Sequence, residues 1–151
     1  MEQVNYNQDE KVFHYLTSKR VNTQVVTSMD AFERIYPFFN FSVFTIHNEK
    51  FFALLLNAEG KQVGVVKLSS FAQSYVNIDL NLLLKEAAAC SAVKVVVAHN
   101  SITNNTQPTE QDDYFTQVLK QECSNNQLIL QDHLIISEYG KYYSYADEGR
   151  L

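Results

Sequence analysis

Two short, dense apolar runs constrain this chain more than anything else in it. Residues 50–57 read Lys-Phe-Phe-Ala-Leu-Leu-Leu-Asn, and residues 93–98 read Val-Lys-Val-Val-Val-Ala. The first is nearly continuous and the second is β-branched, so both predict strands buried on two faces. Neither approaches the ~20 residues of a membrane span. A sheet buried on both faces needs covering layers, and the remaining pattern supplies them. Thr27 and Asp30 form a capping-box pair ahead of Ala31, Phe32, Ile35 and Tyr36, with Pro37 expected to end that helix. Asp79 can cap a second helix, whose LLLKEAAACSA reads as strongly helical and largely buried. Thr109, with Asp112 three residues on, opens a third that buries Phe115, Val118, Leu119 and Cys123 and ends at Ser124-Asn125-Asn126.

Further strands are expected at 11–17, along QVGVVKLSS after the Asn57–Gly60 turn, and at 128–130, 133–137 and 141–146. Strands and helices alternate, with hairpins at both ends. The fold class is therefore α/β (α+β): one domain on a central mixed β-sheet flanked by helices. Residues 1–24 read as an arm that adds a strand to the same unit, and 25–151 as its body.

The 151 residues suit a single core. At 46% hydrophobic and 19% charged the chain is globular in balance, which excludes intrinsic disorder as its main description. A net charge of −5 with scattered Lys and Arg argues against strong non-specific DNA binding. The first residues show neither a basic nor an apolar signal region, so the sequence predicts no signal peptide, no membrane partner and a cytoplasmic location. Cys90 and Cys123 lie far apart and are expected to be reduced core thiols.

Chemistry is expected at the carboxyl end of the 93–98 strand, where open sheets place their sites. His99 is the first residue past that predicted end. Asp112 lies one polar loop further on, where a helix start can turn it back towards His99. A histidine and a carboxylate so placed can share a metal, but a catalytic zinc takes three protein ligands and keeps one open position. The chain reads His99-Asn100-Ser101, and a neutral serine hydroxyl is a poor zinc ligand. Glu49 heads the first buried run and could orient or deprotonate a water. His14, His47 and His133 read as structural residues of strands or strand approaches. No nucleophile elbow, P-loop or dinucleotide fingerprint is present.

Several stretches resemble the RadC-like JAB/MPN family, also called JAMM, in its short single-domain form. Residues 49–57 (EKFFALLLN) are similar to its E-x-F-x-x-L-x-L-N strand, and VKVVVAHN to the strand leading into its H-N-H-P-S-G motif. Pro108–Asp112 is similar to its P-S-x-x-D, residues 132–136 to its D-H-L-I-I, and 142–149 to its Y-Y-S-F-A-D-E-G. The resemblance covers roughly residues 25–151. It implies a cytidine deaminase-like architecture and, in active members, a zinc-dependent peptidase or isopeptidase. It casts Glu49 as general base, His99 and Asp112 as metal ligands, and Thr109 as the hydroxyl that stabilises the tetrahedral intermediate.

The departures fall on the same motif. Ser101 stands where the resemblance places the second zinc-binding histidine, Ile102-Thr103-Asn104 where it places Pro-Ser-Gly, and Phe71-Ala72 where it places a glycine pair. The leading expectation is a non-catalytic pseudoenzyme with little or no zinc, serving as a binding or scaffold module for a protein or peptide partner, or for a second copy through an exposed strand. The alternative is a zinc hydrolase whose altered shell is completed by water or Asn100. A nucleic-acid-associated role, suggested by the family's DNA-repair label, is the third reading.

Overall fold

In a computed structural model of the chain, the residues described are 3–6, 12–16, 24–41, 49–69 and 78–151. Ten elements follow in order: β1 (Gln3–Tyr6), β2 (Val12–Leu16), α1 (Ser28–Phe39), β3 (Phe51–Leu56), β4 (Gln62–Lys67), α2 (Leu80–Ala89), β5 (Lys94–Asn100), α3 (Glu110–Asn125), β6 (Ile129–Ile136) and β7 (Tyr142–Ser144). The seven strands form one sheet in the order β1-β2-β4-β3-β5-β6-β7. Every neighbouring pair is antiparallel except β5 and β6, which run parallel and are joined by α3. The sheet is mixed and the domain is α+β.

β3 is buried along its whole length, and its side chains divide between two cores. Phe51, Ala53 and Leu55 meet Val95, Val97, Leu83, Phe115 and Leu119 on the α2–α3 side. Phe52, Leu54 and Leu56 meet Val96, Ala98, Ile35 and Phe39 on the α1 side. A period of two on a strand sends successive residues to opposite faces, so an unbroken apolar run is what a central strand requires. Both capping boxes form: Thr27 with Asp30 at the start of α1, and Thr109 with Asp112 at the start of α3.

The structure corrects several expectations. Pro37 does not end α1, which runs on to Phe39. In the last turn a proline forfeits few helical hydrogen bonds, and Asn40 then closes the helix in the left-handed region (φ 46°). α2 covers Leu80–Ala89 and buries only Leu83 and Ala87 fully, so it is less buried than its composition suggests. Val118 on α3 is half-buried. The strands expected at 128–130 and 133–137 are one strand, β6, with a register shift opposite Val95 and Val96. β5 extends to Asn100, so His99 is paired inside the sheet rather than lying beyond it. β1 has no counterpart in the sequence reading. Cys90 and Cys123 are free thiols; Cys123 lies in the core as expected, whereas Cys90 is only half-buried.

The carboxyl-terminal turn is tied to both helical layers. Ser28 Oγ donates to Asp147 Oδ2 at 2.6 Å, and Arg150 bridges Asp113 at 2.6 Å. Among the described residues no helix is long and apolar enough to cross a membrane.

Removing the centre of the sheet tests this packing. Leu54→Ala empties a fully buried site between β4, β5 and α1. It should cost about 2–5 kcal/mol in urea unfolding. Val26→Ala, at a position 70% exposed, should stay within about 0.5 kcal/mol of the parent.

Candidate functional site

The site arises from register. Phe51 pairs with His99 across β3 and β5, Val97 with His133 and His99 with Ile135 across β5 and β6. His99 and His133 therefore project to the α3 side of the sheet, on adjacent strands. Phe51 stacks on the His99 ring at 4.6 Å, and Tyr145 stacks on His133 at 5.0 Å with the ring planes nearly parallel. Over these rings α3 begins, with Asp112 and Thr116 one turn apart on its buried face.

A chain of hydrogen bonds fixes the protons. The Thr116 hydroxyl donates to the Asp112 backbone carbonyl at 2.7 Å. Having one hydrogen, it accepts from His133 Nδ1 at 2.7 Å. Burial holds His133 neutral, its pKa pushed down to about 3, and lowers His99 well below the usual histidine range. A neutral His133 with its hydrogen on Nδ1 presents Nε2 as an acceptor, so His99 Nδ1 donates to it at 2.8 Å. His99 Nε2 is left carrying its lone pair towards α3. There it meets Asp112 Oδ1 at 3.2 Å and Glu49 Oε1 at 3.8 Å.

Asp112 has divided duties. Its Oδ2 accepts from the Thr109 amide at 2.8 Å, completing the cap. Its Oδ1 is buried with no hydrogen-bond partner among the described residues. Burial raises the Asp112 pKa, and burial together with the charge of Asp112 raises that of Glu49 to about 7.

The five sequence candidates converge. Glu49, His99, Ser101, Thr109 and Asp112 line one cavity of about 240 Å³. Thr109 sits there as the helix N-cap, its Oγ1 accepting from the Asp112 amide at 3.1 Å. Ser101 Oγ lies 3.2 Å from the Thr103 hydroxyl, while its amide extends the β5–β6 pairing onto Ile136 O. Asn100, weighed above as a stand-in ligand, uses its Oδ1 to accept from the Lys50 amide at 2.6 Å, which anchors the backbone next to Glu49. Phe71, Ala72 and His47 lie outside the described residues, and of His14 only the strand is described.

The loop after β5 has a glycine-like backbone at one asparagine. Asn104, where the resemblance places a glycine, has φ 61°. Asparagine tolerates this region better than most residues. It also exchanges two hydrogen bonds with Glu138, at 3.0 and 3.2 Å, pinning the loop to the β6–β7 turn.

Sequence reasoning missed His133 and Thr116. Histidine in an apolar strand reads as structural, and nothing local in the sequence reveals that strand register brings its ring within hydrogen-bond distance of His99. Asp132, which the sequence offers only as part of a strand motif, has a carboxylate that gathers Ser144 Oγ at 2.5 Å and the Ala146 amide at 3.0 Å, holding the turn that carries Tyr145.

A zinc ion is what the resemblance implies, and the donor set falls short of it. His99 Nε2 and Asp112 Oδ1 are two suitable donors, whereas the third position carries a neutral hydroxyl. Among the described residues no group of three His, Cys, Asp or Glu is placed to hold one ion.

A mixed sheet covered by α1 on one face and by α2 and α3 on the other, with a Glu–His–Asp cavity at the end of a central strand, defines a domain of JAB/MPN type. A family model described as the RadC-like JAB domain matches residues 28–150. The chain belongs to that family. A UPF0758 protein of Porphyromonas gingivalis is 33% identical over 127 residues, which cover 84% of this chain and 54% of that protein. Another, from Flavobacterium johnsoniae, is 29% identical over 126 residues, 83% of this chain and 53% of its own length. The chain spans about half the length of these two relatives.

The proton chain is open to a direct check. Thr116→Val strands the buried His133 Nδ1–H and should cost about 1–3 kcal/mol in urea unfolding. Thr116→Ser, which keeps the hydroxyl, should recover most of that loss. A valine variant as stable as the parent would contradict the chain.

Proposed function

We propose that this domain is a non-catalytic member of its family, a recognition module that binds a protein or peptide partner at the cavity between β5 and α3 without a metal. The observation that carries the reading is Ser101. It occupies the third ligand position with a group that competes poorly with water for zinc, while the cavity and the aligned His99 remain. Losing one of three ligands should cost more affinity than the roughly 10–100-fold typical of removing a group that only hydrogen-bonds to a ligand. The donors that remain, one imidazole and one carboxylate, are too few for a stable closed shell.

The rival reading, a zinc hydrolase with an altered site, draws on Glu49. A carboxyl with a pKa near 7, 3.8 Å from His99, has the proton affinity a general base uses at neutral pH. The partner-binding reading needs no such chemistry, and the net charge of −5 gives nucleic acid little to bind.

Metal content separates the two. Elemental analysis of the purified parent should find far less than one zinc per chain, and Ser101→His should take up about one. Stoichiometric zinc in the parent, with peptidase turnover abolished by Glu49→Gln, would overturn the non-catalytic reading.

A further inference from the structure

The cavity has a charge pattern of its own. Its lining includes the carboxylates of Glu49 and Asp112, and the other polar side chains among the described residues that line it, such as Ser101, Thr103, Asn105, Gln107 and Gln111, are neutral. No Lys or Arg is among the described residues that line it. Asp112 lines this space and is only 3% exposed, and its Oδ1, itself buried, has no hydrogen-bond partner among the described residues. A buried carboxylate oxygen in that condition is costly unless something donates to it. Glu49 Oε1, 3.8 Å from the same His99 Nε2 that Asp112 Oδ1 approaches at 3.2 Å, brings a second acceptor to this space.

We infer that the cavity receives a primary ammonium group, the head of a lysine side chain on the partner. This rests on the recognition-module reading and gives that partner a chemistry. An ammonium has three hydrogens to donate and accepts none, so it suits convergent acceptors. Arginine fits less well. Its planar fork is matched by a carboxylate with both oxygens open, and Asp112 Oδ2 is already committed to the Thr109 amide. The size also agrees. At about 240 Å³ the cavity lies below the roughly 300–1,000 Å³ typical of small-molecule and cofactor sites. Ile102, 55% exposed at the cavity, gives an aliphatic stem something to lie against. The acidic chain as a whole favours approach of a cation.

The test is an amide-shift titration of the full chain by two-dimensional NMR after chelator treatment, with the zinc content of the same preparation measured before the chelator is added. The ligands are a Gly-Gly-Lys-Gly-Gly peptide with blocked ends, its Nε-acetyl-lysine form, its arginine form, and n-butylammonium. The lysine peptide should produce saturable shifts confined to Glu49 and residues 99–112. Acetylation should abolish them, and the arginine peptide should bind more weakly. Asp112→Asn preserves a side-chain oxygen for the helix cap but removes the charge, and should weaken binding about tenfold or more. Glu49→Gln, which leaves the cap untouched, should do the same. Equal binding of the acetylated peptide, shifts that map elsewhere, or full affinity in both variants would overturn the inference. Butylammonium binding as tightly as the peptide would assign the site to a free amine and overturn the partner-lysine assignment. A zinc-free parent with no lysine response sinks this inference alone, whereas a zinc-loaded parent sinks the recognition-module reading beneath it.

Discussion

The parallel pairing of β5 with β6 is the constraint on which the rest of this molecule depends. A parallel pair cannot be closed by a hairpin, so the chain must cross over the sheet, and α3 is that crossover. The same pairing sets Val97 opposite His133 and His99 opposite Ile135. The helix that the topology demands thus lies over two adjacent imidazoles. A one-residue slip between these strands would send His133 to the α1 side and leave His99 without its hydrogen-bond acceptor. The register shift beside Val95 is therefore part of the site, since it moves residues 132–136 into phase with the end of β5.

From that register the electrostatics follow. Two buried imidazoles cannot both be charged, and each has one hydrogen to place. Thr116 settles both placements because its own hydrogen is committed to a helix carbonyl. The acceptor edge of His99 is consequently built into the core rather than arranged at the surface. Asp112 supplies the opposite wall while capping its own helix, so the same residue that starts α3 also shapes the cavity. Ser101 contributes a strand-like amide and a loop hydroxyl rather than core packing, so the shape of the cavity does not depend on its side chain.

Much of this was legible in the sequence, for identifiable reasons. Both capping boxes were readable because their partners lie three residues apart. The central strands were readable because burial on two faces leaves unbroken apolar runs. Glu49, His99 and Asp112 stand out by their places at strand ends and a helix start, Ser101 and Thr109 by their spacing from these, and only the resemblance gives them roles. What escaped notice was non-local. His133 and Thr116 matter only through strand register, and Asp132 only through a turn twelve and fourteen residues further on. Pro37 misled because a proline rule for helix interiors is weak in the last turn. Splitting β6 in two misled because Gln131 and Asp132 interrupt its apolar pattern where the strand bulges.

The imidazole tautomers test the central claim most directly. Long-range proton–nitrogen correlation spectra of the metal-free chain at neutral pH report which nitrogen of each histidine carries hydrogen. The expected result is Nδ1 protonated and Nε2 bare in both His99 and His133. A hydrogen on His99 Nε2 would make that ring a donor to Asp112, break the chain from Thr116, and contradict an acceptor-lined cavity.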